Sequence, residues 1–284
     1  MLYAHLTAKP IVQITMLKPK PTQSRNLSKM RNELKAKLGR GEVTFGVTVG
    51  LGFPEVSEAL GNLGLDYIVF DMQHTSLDAE RTQTMIQAAG YSSTVPIVRV
   101  MANDLGLINK GLDIGGYGVI IPLVNTKDEA ENAVRASKYP PEGIRSWGPR
   151  RLVLRDSEYT KTANTEVMII PQVETELALK NIEDIVSTEG VDAIFVGPND
   201  LSMSLGIFRQ FDNPQFLKAI EKIVAACETH DVKPGLLAPT GPVERSIEQG
   251  FKMIELGSDI NFLTENVRRT LEIARNRAES VAKR

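Results

Sequence analysis

Residues 118–138, GVIIPLVNTKDEAENAVRASK, set a short apolar run against a longer amphipathic one. GVIIPLV is almost wholly apolar and rich in branched side chains, the pattern of a strand buried on both faces. From Thr126 the apolar residues recur at helical spacing. Strand then helix is one βα unit, and the same unit recurs along the chain. Strand-like runs stand at VTFGVTV (43–49), YIVFD (67–71), PIVRV (96–100), VMIIPQV (167–173), DAIFVG (192–197), KPGLLA (233–238) and KMIEL (252–256), which with GVIIPLV makes eight. Helical periodicity fills intervals between them, as in LDAERTQTMIQAAG (77–90), LGLINKGLDIG (105–115) and NPQFLKAIEKIVAACETH (213–230). Apolar strands alternating with amphipathic helices predict a parallel sheet sheathed in helices.

Eight units favour a closed α/β fold, the (β/α)8 TIM barrel, over an open doubly wound sheet. The length of 284 residues fits a single such barrel, which takes roughly 250. No G-x-G-x-x-G follows the first strand, which argues against the dinucleotide-binding form of the open sheet. Residues 1–40 read as an N-terminal arm, with LSKMRNELKAKLGRG (27–41) as a helix ending near Gly39 or Gly41, and residues 41–284 as the barrel domain.

A charged fraction of 24% and a hydrophobic fraction of 42% are those of an ordinary globular enzyme. The net charge of −2 gives no electrostatic reason to expect nucleic acid or an anionic membrane surface as partner. No apolar run reaches the roughly 18–20 residues of a membrane span. The single cysteine, Cys227, rules out an internal disulfide and a cysteine metal cluster, and lies on the apolar stripe of a helix. The first 32 residues carry six basic side chains and no acid, which fits either a mitochondrial transit segment or a flexible extension. Cytoplasm is the default compartment.

Barrel enzymes do their chemistry at the carboxyl ends of the strands, so polar residues there are the site candidates. The second strand ends at Asp71, followed by Gln73 and His74; the third carries Arg99; the fifth runs into Gln172, Glu174 and Glu176. The sixth leads through Gly-Pro to Asn199 and Asp200, and the seventh ends near Leu237. Neighbouring strands lie about 4.8 Å apart, so Glu174 and Asp200 can share one cation; the alternative is two acids making loop or cap contacts. Arg99, in an apolar strand, either holds a barrel acid such as Asp71 or awaits an anionic substrate. His74 stands among these groups, unlike His5 and His230. Asp113, at a helix end, either caps its turn or orients the imidazole. The connection 139–166, with Arg145, Arg150, Arg151, Arg155 and Trp147, is too long for an ordinary loop. It reads as a lid or subunit contact over the barrel mouth, or as a solvated basic loop.

DMQH (71–74), VPIVRV (95–100), KYPPEGIRS (138–146), PQVET (171–175) and GPNDLS (197–202) together resemble the HpcH/HpaI aldolase family, the metal-dependent class II pyruvate aldolases. The resemblance covers about residues 42–275 and implies a barrel of the pyruvate/phosphoenolpyruvate-utilising type. It implies a divalent metal on Glu174 and Asp200, Mg²⁺ first, with Mn²⁺ or Co²⁺ as alternatives. It places a 2-oxo acid among Arg99, Gln172, Asn199, Asp200, Gln73 and Leu237. His74, oriented by Asp113, would move the proton, and Asp71 would support Arg99 or a water at the metal. No Schiff-base lysine is required. Gln73, where many members have glutamate, points to the macrophomate-synthase-like branch, in which Tyr159 falls where a tyrosine contacts substrate.

The implied reaction is cleavage of 4-hydroxy-2-oxo acids to pyruvate and an aldehyde, with decarboxylation of oxaloacetate. Two alternatives stand beside it: addition of the oxaloacetate-derived enolate to a 2-pyrone, and a catalytically silent barrel that binds 2-oxo acids. FLTENVRRTLEIARNRAESVAKR (262–284) reads as an amphipathic helix. In the family such a helix packs on a neighbouring subunit, implying a homo-hexamer built as a trimer of dimers; alternatively it closes its own barrel.

Overall fold

The structure, a computed structural model, describes residues 31–90, 93–237 and 240–282. Eight parallel strands close into one barrel in chain order: β1 (Thr44–Val49), β2 (Tyr67–Asp71), β3 (Val95–Arg99), β4 (Gly118–Ile121), β5 (Met168–Val173), β6 (Ala193–Val196), β7 (Lys233–Leu236) and β8 (Met253–Ser258). α1 (Glu33–Gly39) precedes β1, and α2 (Pro54–Gly61), α3 (Ala79–Ala89), α4 (Leu105–Asp113) and α5 (Lys127–Ser137) follow β1 to β4 in turn. α6 (Arg150–Arg155) and α7 (Tyr159–Glu166) lead into β5, and α8 (Glu176–Lys180) and α9 (Ile182–Val186) leave it. α10 (Pro198–Ser204) and α11 (Pro214–Thr229) follow β6, α12 (Val243–Glu248) follows β7, and α13 (Asp259–Ala282) follows β8.

The two-residue period of the strands sorts their side chains. Tyr67, Val69, Val95, Ile97, Ile120, Met168, Ile170, Phe195 and Met253 turn inward and fill the barrel. Ile68, Phe70, Val98, Val119, Ile121 and Ile169 turn outward into the larger core beneath the helices. Both faces are buried, which is why the strands read as continuous apolar runs rather than alternating ones. Cys227 is buried in that outer core, and burial pushes its thiol up.

α1 is part of the barrel. Its Leu34 and Leu38 pack into the interior cluster and close the N-terminal end. Asn32 caps it, accepting from the Lys35 amide (3.1 Å) and donating to the carbonyls of Tyr117 (3.0 Å) and Glu166 (2.8 Å). Of the arm expected over residues 1–40, residues 1–30 lie outside the described residues.

In a parallel barrel every helix runs back toward the N-terminal ends of the strands. The 139–166 connection leaves the end of α5 and enters β5, so it lies at that end, away from the mouth. It does not cover the mouth of its own barrel as a lid, which corrects that expectation. α13 is exposed along its length, with Leu263, Val267, Leu271 and Ile273 open to solvent. Its first residue, Asp259, is buried and accepts from the amides of Gly50 (3.0 Å) and Leu51 (2.9 Å) after β1. Among the described residues no helix is long and apolar enough to cross a membrane.

Candidate active site

Asp71 and Arg99 are register partners on β2 and β3, both facing inward at the strand ends. Arg99 donates through Nε to Asp71 Oδ1 (2.9 Å) and through Nη2 to Oδ2 (2.6 Å), a buried bidentate pair. Asp71 Oδ1 also accepts from the amides of Gln73 (3.0 Å) and His74 (3.3 Å). One carboxylate therefore fixes both the guanidinium and the turn that carries Gln73 and the exposed His74. Two of the five guanidinium N–H groups are used, leaving three for another acceptor.

Glu174 follows β5 and is only 2% exposed. Its Oε1 accepts from the Leu123 amide (2.8 Å), and its Oε2 from the side-chain amide of Gln172. Leu123 holds φ of 55°, a left-handed conformation rare for a branched residue, which presents its N–H to that oxygen. Gly197, at the end of the neighbouring strand β6, is required here: a Cβ would stand 2.7 Å from Glu174 Oε2 and 3.0 Å from its Cβ. Pro198 opens α10 and sets Asp200 in its first turn, exposed at the mouth. Burial raises the carboxyl of Glu174 above its usual range and Asp200 adds to the rise, while Gln172, the Leu123 amide and Arg99 oppose it. Glu174 thus feels both Asp200 and Arg99, which makes the metal candidates and the arginine one electrostatic neighbourhood.

Two amide oxygens there, Gln172 Oε1 and Gln73 Oε1, are buried without a hydrogen-bond partner. Among the described residues no group of three or more acids, histidines or cysteines could hold a metal ion. The donor set is therefore two carboxylates beside an unpartnered amide oxygen. Hard oxygen donors this few suit a divalent ion such as Mg²⁺ that keeps waters and takes substrate oxygens, so the residues fit the implied metal. Asn199 is exposed beside Asp200, and half-buried Leu237 packs on the inner cluster at the end of β7.

Two expected site residues lie elsewhere. Asp113 ends α4, whose nine residues span about 13 Å from the mouth toward the opposite end. There its Oδ1 accepts from Arg145 Nη2 at 2.8 Å, so within one chain it does not orient His74. Tyr159 is buried at the same end, and its hydroxyl accepts from Arg145 Nη1 (3.2 Å). The Arg145 guanidinium lies 4.5 Å from the Tyr139 ring centre and 5.8 Å from that of Tyr159. Tyr159 therefore does not line the mouth of its own barrel.

One inward acid went unread in the sequence. Glu255 sits mid-strand in β8, 3% exposed, and accepts from Thr48 Oγ1 at 2.8 Å. Burial pushes its carboxyl up to about 8, with Arg99 pulling it down and Asp71 pushing it up. The signal was available: an acid at an inward position of KMIEL is as anomalous as the arginine in PIVRV.

Residues 46–265 match the HpcH/HpaI aldolase/citrate lyase family. A 5-keto-4-deoxy-D-glucarate aldolase of Escherichia fergusonii is 37% identical over 242 residues, covering 84% of this chain and 94% of the relative. An HpcH/HpaI aldolase/citrate lyase family protein from Burkholderia cenocepacia superposes with a TM-score of 0.80 at 30% identity, over 86% of this chain and 99% of the other. Macrophomate synthase superposes with a TM-score of 0.79 at 25% identity, over 96% of this chain and 99% of the other. With its closed barrel and this strand-end constellation, the chain belongs to the HpcH/HpaI aldolase/citrate lyase family and is an enzyme of its aldolase/lyase class.

Proposed function

We propose that this chain cleaves 4-hydroxy-2-oxo acids to pyruvate and an aldehyde, and decarboxylates oxaloacetate at the same site. The observation that carries this reading is the buried Glu174 facing Asp200 beside an Arg99 held by Asp71. Glu174 and Asp200 would hold the divalent cation, Mg²⁺ in the first instance, which when bound supplies Lewis-acid polarisation of the 2-oxo group. Arg99 directs its free N–H groups at the developing oxyanion, and Asp71 keeps the guanidinium from reorganising as charge builds. His74 removes the proton of the C4 hydroxyl; the C3–C4 pair then moves toward the C2 oxygen and the aldehyde leaves. Returning a proton to C3 gives pyruvate. Gln73 is an amide and takes no proton; with Gln172 it offers an unpartnered oxygen to substrate or cation. Asn199 and Leu237 border the carboxylate end and the apolar wall.

The 37% identical 5-keto-4-deoxy-D-glucarate aldolase supports aldol cleavage of a keto acid as the native reaction. A second reading, addition of the same enolate to a 2-pyrone, is favoured by Gln73 and by the nearly full-length match to macrophomate synthase. In either case Asp113 can reach a His74 only across an interface between copies. The exposed α13 supports such an assembly, for which we take the homo-hexamer.

Purified protein should release pyruvate from oxaloacetate and from 4-hydroxy-2-oxo acids with Mg²⁺ or Mn²⁺ present. Release should fall to the metal-only background with EDTA or in Glu174→Gln. Background-level release by wild type with metal demonstrably bound would sink the lyase reading and favour a barrel that only binds 2-oxo acids.

A further inference from the structure

At the N-terminal end of the barrel, away from the mouth, a cavity of about 40 Å³ opens between the end of α3, the start of β3 and α6. A water needs about 10–15 Å³ of such space, so it holds a few waters or one small anion. Arg31, Arg151 and Arg155 line it, and no aspartate or glutamate does. Arg151 Nη2 is buried without a hydrogen-bond partner. Burial and the neighbouring Arg155 both make Arg151 harder to keep protonated.

The backbone leaves room for these guanidinium groups. Gly115 holds φ of +121°, and a Cβ there would stand 2.6 Å from Arg151 Nη1. A Cβ on Gly90 would stand 3.4 Å from Arg155 Nη1. Asp156, next in sequence, accepts from the Glu158 amide (2.9 Å) and does not line the cavity. Residues 1–30, 91–92, 238–239 and 283–284, which lie outside the described structure, contain no aspartate or glutamate. No undescribed side chain of this chain can therefore supply the missing negative charge.

Clustered cations with a buried, unpaired donor are costly unless an anion joins them. We propose that this cavity is a binding site for a small tetrahedral oxyanion, free phosphate or the phosphoryl group of a small metabolite, separate from the barrel mouth. Planar guanidinium forks match phosphate oxygens in pairs, and three cations favour a dianion over a monovalent carboxylate. Binding would tie α6 to the end of α3, and so brace the 139–166 connection against the barrel.

The test is a calorimetric titration of the full chain with inorganic phosphate in low-salt, metal-free buffer, and it needs no turnover. Matched chloride and acetate titrations accompany it. We expect one saturable phosphate site per chain, at least tenfold weaker in both Arg151→Gln and Arg155→Gln, with pyruvate release retained. Arg155 is exposed, so its variant tests the site even where Arg151→Gln misfolds. Phosphate binding that Arg155→Gln leaves unchanged, or that chloride reproduces at equal ionic strength, overturns the site. Acetate binding there as tightly as phosphate overturns the tetrahedral assignment. Separate phosphate and glycerol-phosphate titrations distinguish the free ion from a phosphoryl group, the tighter of the two naming the source.

Discussion

Glu255 holds a proton in the folded barrel that the unfolded chain gives up. Its carboxyl is pushed up to about 8, against roughly 4.3 for a glutamate in water. The stabilisation is therefore complete below the unfolded value and is lost as pH rises toward 8, at about 1.4 kcal/mol per unit at most. Glu255→Gln, which cannot ionise, should flatten the dependence of the urea midpoint on pH between 5 and 8. A slope identical to wild type would move the titration to some other group. Asp71 is the counterpart case. Asp71→Asn strips the buried Arg99 of its charge partner, and should cost about 3–5 kcal/mol in urea unfolding along with most turnover. Loss of turnover with full stability would mean that Arg99 finds another anchor. The register that joins Asp71 to Arg99 was legible, since both residues close apolar runs at strand ends. Glu255 was not, because which face of β8 turns inward is set only when β8 closes on β1.

At the scale of elements, the end of β6 is shaped by what β5 presents to it. Gly197→Ala would drive a methyl into Glu174, and the fold can yield only by moving that carboxylate. Mn²⁺ affinity should fall by about 10- to 100-fold, the usual cost of disturbing a ligand's support, while thermal unfolding changes little. Retained affinity would remove Glu174 from the metal site. α1 offers a purely structural prediction. Leu38→Ala empties part of the plug beneath the barrel and should cost about 2–5 kcal/mol in urea unfolding, leaving the mouth untouched. Helices such as α3, α4, α5 and α11 were readable because their periodicity is local. α6 and α7 were not: their segment is held by distant partners, with Arg145 on Asp113 and the Asn164 side chain on the Tyr139 backbone.

For the whole molecule the proposed assembly centres on α13. A 24-residue helix exposed along its length gains little from its own barrel, since isolated helices are marginal in water. Its open Leu263, Val267 and Leu271 call for a second copy. Light scattering should give an oligomer for wild type and smaller species for Leu263→Glu with Leu271→Glu, with the far-ultraviolet spectrum of the barrel retained. A wild-type monomer would leave α13 free and remove the route by which Asp113 reaches a histidine.

The sequence by itself determined the barrel, the order of its strands and the cluster of Asp71, Arg99, Gln172, Glu174 and Asp200 at their ends. It could do so because strand period, helix period and the position of a residue at a strand end are local properties of a chain. Only the tertiary structure decided that Asp113 and Tyr159 face the end opposite His74, that α1 is a plug, and that Glu255 shares the field of Arg99. Those facts follow from the direction in which each helix returns and from the face that barrel closure turns inward. Neither exists until distant segments meet.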